Sequence, residues 1–379
     1  MNMELFYRGR KNKKDVLTSI PSCSFKEIKT FGQSRLDGWN NMLILGNNLL
    51  VLKTLLDNSR VEGKVKLIYI DPPFGTNQEF KSGISRTVSK SRQDKIAYED
   101  NIVGAEYIEF LRKRLFLLRE ILADEGSIYV HIDWKMGHYI KVLMDQVFGQ
   151  KRFINNITRI KSNPKGSKRR AYGNMTDVIL FYSKTDKYVW NEQREEFTDE
   201  DIKSLFRKID KKGRHYTTLP IHGPGETLNG PTGKAWRGRK PIKGSHWQYP
   251  PEKLDELDEK GLIEWSSTGN PRRIYYAEEA IKKGKKRQDI WEFKDPQRPS
   301  YPTEKNLEML KLIARTSSNP DDIVLDCFAG SGTTLVAAQE LSRRWIGVDN
   351  SEVAINIASK RLLSIEKCPA FTVYEIEKV

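Results

Sequence analysis

Two short turns in this 379-residue chain combine residue types that could do chemistry. Asp71-Pro72-Pro73-Phe74 follows at once on the apolar run Val65 to Ile70. A residue that precedes proline is pushed out of the helical region into extended backbone. Asp71 and Pro72 are both constrained in this way, so the carboxylate and the Pro72 carbonyl become adjacent, rigid acceptors. Two acceptors side by side match the two N–H bonds of an exocyclic amino group, and Phe74 offers a ring on which a flat base can stack. The amino group of adenine is a poor nucleophile because its lone pair is delocalised into the ring. Accepting both protons localises that pair and stabilises the positive charge that grows as a methyl group arrives, an effect realised mainly in the transition state. A base inside a duplex cannot reach such a turn and must be extruded, at a cost of about a few kcal/mol. Taken alone, the four residues also read as a plain surface turn.

The second turn, Asp326-Cys327-Phe328-Ala329-Gly330-Ser331-Gly332-Thr333-Thr334, follows a strand-like run and opens a helix-like one, a setting in which glycines let the backbone approach a ligand. Asp349 ends the next apolar run, where a carboxylate can accept from ribose hydroxyls. A dinucleotide fingerprint needs a third glycine where Leu335 stands, and no Gly-Lys-Ser/Thr of a P-loop is present. Both absences count against pyrophosphate and triphosphate ligands. A nucleoside with a short uncharged link fits better, because Asp326 would repel phosphate but could hold an amino group. S-adenosyl-L-methionine has those properties.

The elements that must position these turns are strands alternating with helices. Met42 to Leu45, Val65 to Ile70, Ser127 to Ile132, Ile323 to Asp326 and Trp345 to Asp349 read as strands. Helical faces recur at Leu49 to Leu56, Tyr107 to Leu122, 138–148, Leu307 to Ser317 and Thr333 to Leu341. The alternation predicts an α/β fold, a Rossmann-like, doubly wound, mostly parallel sheet. A proline pair cannot continue a central strand, so Asp71 must sit at a C-terminal strand edge. Residues 75–104 are Gly-, Ser- and Lys-rich and read as a functional loop. Phe153 to Ile160 and Asp177 to Tyr182 read as paired strands around a basic loop. The expected organisation is an N-terminal arm over 1–35, α/β parts over 36–184 and 296–379, and a Gly-, Pro-, Trp- and charge-rich inserted module over 185–295.

Charge bears on the partner. The chain has 65 Lys plus Arg against 50 Asp plus Glu, a formal +15. Residues 151–300 hold 33 basic and 21 acidic residues and so carry +12 of it. Lys165, Lys168, Arg169 and Arg170, then Arg237 and Arg239, then Lys285, Lys286 and Arg287 form clusters interleaved with Trp190, Trp247, Tyr249 and Trp265. Such clusters suit a phosphate backbone and exposed bases; composition leaves a solvated face equally open. Three scattered cysteines and five histidines without zinc spacing predict neither a disulfide scaffold nor a metal site. Cys327 reads as a small buried residue and His131 as a satisfied core histidine. With no long apolar run and no signal-peptide stretch, the chain reads as cytoplasmic, without a membrane partner.

These residues resemble the bacterial amino-group DNA methyltransferases, in the permuted β-type order in which the catalytic turn precedes the S-adenosylmethionine turn. The resemblance covers about 36–184 and 296–379. It implies Asp71, Pro72, Pro73 and Phe74 as the catalytic motif in its adenine-N6 form, Phe328 to Thr334 as the cofactor loop with Gly330, Ser331, Gly332 and Thr333, and Asp349 as the ribose-binding acid. Tyr301-Pro302-Thr303-Glu304-Lys305 is similar to the segment that holds the methionine carboxylate, which assigns Thr303 and Lys305. Gly46-Asn47 resembles a Gly-Asp pair whose acid accepts from the cofactor's adenine, which assigns Asn47; Asp326 and Asp71 complete the expected cofactor site. The segment 185–295 takes the place of the target recognition domain, and the layout is like that of modification subunits of restriction systems. The resemblance implies methylation of adenine N6 in double-stranded DNA. Cytosine N4 methylation and a catalytically silent DNA-binding regulator are the alternatives, with RNA a weaker third. A restriction endonuclease subunit and a second copy of the chain are the further partners this layout admits.

Overall fold

A computed structural model of the chain describes residues 4–32, 37–73, 78–82, 95–100, 104–164, 166, 170–297, 299, 301, 304–366 and 370–377. Two compact units share it: Met1–Glu192 with Gln288–Val379, and Gln193–Arg287.

The first unit is built on a ten-stranded sheet in the order Phe25–Phe31, Phe371–Ile376, Asn41–Leu45, Arg344–Asp349, Ile323–Asp326, Val65–Ile70, Leu122–Ile132, Thr176–Ser183, Phe153–Ile160, Ile290–Glu292. The six strands from Phe371–Ile376 to Leu122–Ile132 run parallel. Apolar side chains alternate between the sheet's faces, as the two-residue period of a strand requires. Ile44, Ile68, Ile70, Val130 and Val348 meet helices Asn48–Leu56, Gly104–Ile121 and Gly137–Phe148 on one face. Leu43, Leu67, Tyr69, Tyr129 and Trp345 meet helices Leu307–Ser317, Thr333–Glu340 and Glu352–Leu363 on the other. This is the doubly wound, mostly parallel arrangement that the alternation predicts.

The chain leaves Ile323–Asp326 through helix Thr333–Glu340 toward one side of the sheet, and leaves Val65–Ile70 through helix Gly104–Ile121 toward the other. The neighbouring strands Ile323–Asp326 and Val65–Ile70 therefore flank a topological switch point, and both turns emerge at its C-terminal edge. Ligand crevices of open α/β sheets form at that place.

Three boundaries differ from the expectation. Phe25–Phe31, read as part of a loose arm, pairs antiparallel with Phe371–Ile376, while Val16 and Ile20 join the core. As an edge strand it is largely exposed, so its lysines show no hydrophobic alternation. The second unit is narrower than 185–295. Tyr188 and Trp190 pack on Phe181, and Ile290–Glu292 pairs with Thr158–Ile160, which draws both flanks into the first unit. Within 75–104, Gln78–Ser82 and Lys95–Asp100 pair antiparallel.

The second unit contains a four-stranded antiparallel sheet, Lys208–Ile209, His215–Pro220, Pro271–Tyr276 and Ile263–Trp265. Its core gathers Ile221, Trp236, Trp247, Leu254, Leu257 and Ile263. Trp247 is thus a core residue, although its place among the basic clusters suggested a base-stacking one.

Candidate active site

The Gly-rich turn is held by its own backbone and by two carboxylates. Gly330 and Gly332 have φ of 51° and 77°, a left-handed region that costs other residues energy. A side chain at Gly332 would come within 2.8 Å of the Ala358 Cβ. Asp349 accepts from the Gly330 N–H at 2.8 Å and the Ser351 N–H at 3.0 Å. Asp326 accepts from the Phe328 N–H at 2.9 Å and the Thr334 hydroxyl at 2.6 Å. Both of its oxygens thus build the turn. Burial pushes the Asp326 carboxyl up to about 7, with Asp71 and Asp349 adding repulsion. Asp349 is raised by burial as well, while its backbone N–H bonds oppose the shift.

Long-range contacts that sequence reasoning missed brace this turn. Arg361 donates to the Ser331 hydroxyl at 2.8 Å and the Thr333 hydroxyl at 3.0 Å. It also pairs with Glu304 at 3.1 Å, tying the turn to the segment that contains Lys305. On the other side Asn48 donates to the Cys327 carbonyl at 2.7 Å and accepts from Arg114 Nε at 2.6 Å. Arg114 is buried, which pulls its guanidinium down to about 10. Its position inside the periodic helix Gly104–Ile121 was the available signal. Asn47 caps helix Asn48–Leu56, accepting from the Leu49 N–H at 2.9 Å. Its amide oxygen, expected to face the cofactor's adenine, already has that partner. Cys327 is fully buried, which pushes its thiol up.

The acidic turn stands at the end of the neighbouring strand. Pro72 is buried and Asp71 and Pro73 are partly so. Lys305, 234 residues away in sequence, donates from Nζ to Asp71 Oδ2. Asp71 Oδ1 is buried with no hydrogen-bond partner among the described residues. The register that pairs Tyr69 with Tyr129 and Ile70 with Val130, continued one residue, sets His131 beside Asp71. His131 is buried and bonded through Nδ1 to the Tyr69 hydroxyl at 2.8 Å and through Nε2 to Asp177 at 3.2 Å. Lys161 and Arg159 complete that buried network, at 2.5 and 3.7 Å from Asp177.

Asp71, Lys305, Asp326, Phe328, Gly330, Ser331, Gly332, Thr333, Asp349 and Asn47 all belong to the first unit. Phe74 and Thr303, and with them Lys165, Lys168 and Arg169, lie outside the described residues. Among the expected DNA contacts, Arg170 is exposed. Arg237 pairs with Asp258 and Asp255, Lys285 with Glu195 and Asp201, and Arg287 with Glu195. Lys286 is exposed, and Arg239 lies over the Trp265 ring. The positive excess is shared between the units: 193–287 has 21 basic and 15 acidic residues, and 151–192 has 10 and 3.

A buried acceptor beside a cation, next to a glycine turn at the switch point of a doubly wound sheet, defines a class: an α/β protein whose strand edge carries donors and acceptors suited to a small polar ligand. Residues 65–360 match the family described as DNA methylase, which comprises N6 and N4 methyltransferases, and the chain belongs to that family. It is 46% identical over 328 residues to the type II methyltransferase M.EcaI of Enterobacter cloacae, covering 85% of this chain and 69% of that protein. It is 25% identical to the StyLTI Mod subunit, a type III restriction-modification enzyme of Salmonella typhimurium, covering 80% of this chain and half of that one. Among solved structures, a putative DNA modification methylase from Thermus thermophilus, complexed with S-adenosyl-L-methionine, covers 89% of this chain and 99% of its own at 15% identity and a TM-score of 0.46.

Proposed function

We propose that the protein transfers a methyl group from S-adenosylmethionine to the N6 amino group of adenine at a specific site in double-stranded DNA. The observation that carries this is Asp71: a carboxylate at the switch point, with one oxygen on Lys305 and the other buried and without a partner among the described residues. A buried acceptor left open costs energy unless a ligand donates to it. Beside it, the Lys305 ammonium can take a carboxylate, the Gly330–Gly332 turn admits a close backbone approach, and Asp349 can accept from a ribose. This donor and acceptor set fits S-adenosylmethionine.

When bound, S-adenosylmethionine supplies a methyl group activated by a sulfonium. Asp71 Oδ1 and the Pro72 carbonyl accept the two N–H bonds of the base. They concentrate the lone pair on nitrogen and stabilise the charge that grows there. Burial strengthens that effect, because little water screens the carboxylate. Phe74 stacks on the extruded base. Residues 193–287 and the basic loop between Ile160 and Thr176 hold the duplex. A restriction endonuclease partner, a second copy of the chain and a cytoplasmic location belong to the same reading; among the described residues no helix is long and apolar enough to cross a membrane.

The test is transfer of labelled methyl from S-adenosylmethionine to duplex DNA by the purified chain, followed by digestion to nucleosides. N6-methyladenine is the expected product. N4-methylcytosine would move the assignment to cytosine, and absence of transfer would leave a DNA-binding regulator. Sequencing modified bases in cells with and without the gene gives the recognition site.

A further inference from the structure

The ion pair between Lys305 and Asp71 joins two residues that the proposed reaction needs for different ligands. Lys305 is the cation set to meet the carboxylate of S-adenosylmethionine; Asp71 is the acceptor set to meet the amino group of the base. Each occupies the other's charge instead. The side chains are only 10% and 16% exposed, so this is no loose surface pair of small consequence. In such a site, a charge that loses its partner without replacement is strongly destabilised.

We propose that Lys305 is a two-position cation that couples cofactor binding to base binding. With no cofactor it neutralises Asp71 through Oδ2, which weakens the pull that Oδ1 can exert on the base amino group. When a carboxylate enters at the cofactor's amino-acid end, the ammonium gains a second anion and turns toward it. Asp71 Oδ2 is released, and the extruded base then meets, at Oδ1 beside the Pro72 carbonyl, a carboxylate whose charge is no longer neutralised. The base amino group then compensates the carboxylate that the ammonium has left. Neither exchange leaves a buried charge bare, provided both ligands are present.

The local geometry makes a small movement of Lys305 sufficient. Its segment is pinned on both sides. Glu304 is held by Arg361, which also grips the Gly-rich turn. Asn306 caps helix Leu307–Ser317 and donates to the Lys294 carbonyl at 3.0 Å. The backbone is fixed while the four-carbon stem can swing its ammonium between two neighbouring anions. By thermodynamic reciprocity, whatever factor the cofactor adds to base binding, the base adds to cofactor binding.

The proposal rests on the methyltransferase reading, and the experiment separates the two. A duplex with the methylated sequence, carrying 2-aminopurine at the target base, is titrated with the full chain in the presence and absence of S-adenosylhomocysteine. Extrusion is read as fluorescence, and S-adenosylhomocysteine affinity is read in parallel by calorimetry with and without duplex. In the wild type, each ligand should tighten the other by about tenfold, and fluorescence should rise fully only with S-adenosylhomocysteine. Lys305→Met should extrude the base without S-adenosylhomocysteine and bring the coupling factor close to one, while Lys305→Arg should restore coupling. Unchanged circular dichroism of Lys305→Met shows that it folds; if it does not, the wild-type and Lys305→Arg titrations still decide. Full extrusion by the cofactor-free wild type, or wild-type coupling in Lys305→Met, would overturn the proposal while methyl transfer stands. A chain that transfers no methyl to any duplex would instead remove the reading beneath it.

Discussion

His131 and Asp177 face each other across two antiparallel strands, with Nε2 3.2 Å from Oδ2 and both side chains buried. Asp177 can only accept when ionised, so Nε2 carries the proton and Nδ1 accepts from the Tyr69 hydroxyl. Burial holds His131 below its ordinary value of 6.5, more than Asp177 raises it. Asp177 lies well below the usual carboxylate range, because His131 and Lys161 outweigh its burial.

Both shifts have one sign for stability. A group whose folded pKa is depressed contributes stability above its unfolded value and loses it as pH falls toward the folded value. The His131 share should fade below about 6.5 and the Asp177 share below about 3.9. The limiting slope is roughly 1.4 kcal/mol per pH unit for each proton. Urea midpoints measured against pH should therefore fall on acidification, and His131→Gln should flatten the upper part of that decline. His222, also lowered by burial, keeps the flattening incomplete. An unaltered profile in His131→Gln would place the titration elsewhere.

Asp326 behaves in the opposite sense. Its folded pKa of about 7 lies above the ordinary 3.8, so its contribution is complete below the unfolded value and is lost as pH rises to about 7. Asp326→Asn should lose less stability over that interval. If the ionised form also helps hold an amino group of the cofactor, S-adenosylhomocysteine affinity of the wild type should rise through about pH 7. The Asp326→Asn profile should be flat. A rising profile in the variant would assign the titration to another group.

Gly332 and Gly330 separate close packing from backbone strain. Alanine at Gly332 meets both a left-handed φ and the Ala358 Cβ at 2.8 Å. Alanine at Gly330 meets the same kind of φ but only an ordinary 3.7 Å contact with Tyr301. Gly332→Ala should cost about 2–4 kcal/mol and Gly330→Ala about 1 kcal/mol, measured by chemical denaturation. Equal costs would mean that helix Glu352–Leu363 yields freely.

Much of this site was legible because it is local. Val65–Ile70 and Ile323–Asp326 are short apolar runs cut off by proline and glycine, so local sequence alone sets Asp71 and Gly330 at a strand edge. The bracing was not legible, because it depends on contacts between distant stretches of chain. Nothing near Ser331 announces Arg361, and nothing near His131 announces Asp177, 46 residues on. The Lys305–Asp71 pair spans 234 residues. The partners of the charge clusters were hidden for a related reason: composition counts cations without showing that Glu195, Asp201 and Asp258 fold back onto some of them.

Asp71→Ala removes the acceptor without removing the turn's prolines. Methyl transfer should fall by about a hundredfold to a thousandfold or more, the scale of losing a preorganised group at a developing charge. Duplex affinity without cofactor should stay near that of wild type, read by electrophoretic shift. Retained turnover would take Asp71 out of its role.

The ion pairs within Gln193–Arg287 bear on which cations meet phosphate. Lys285 lies 2.7 Å from Asp201 and 3.2 Å from Glu195, and Arg287 lies 3.2 Å from Glu195. A phosphate contact there would have to break an existing pair, so it adds little net counterion release. Lys285→Gln with Arg287→Gln should therefore destabilise the unit yet leave the slope of log K against log salt nearly unchanged. The loop between Ile160 and Thr176 has Lys161, Lys165, Lys168, Arg169 and Arg170 and no acidic residue. Neutralising Lys165, Lys168, Arg169 and Arg170 together should flatten the slope by about 0.9 for each phosphate that is no longer neutralised. Binding isotherms over a salt series distinguish the two sets. A slope that falls with Lys285 and Arg287 and holds when the loop is neutralised would move the phosphate contacts from the catalytic unit to the inserted one.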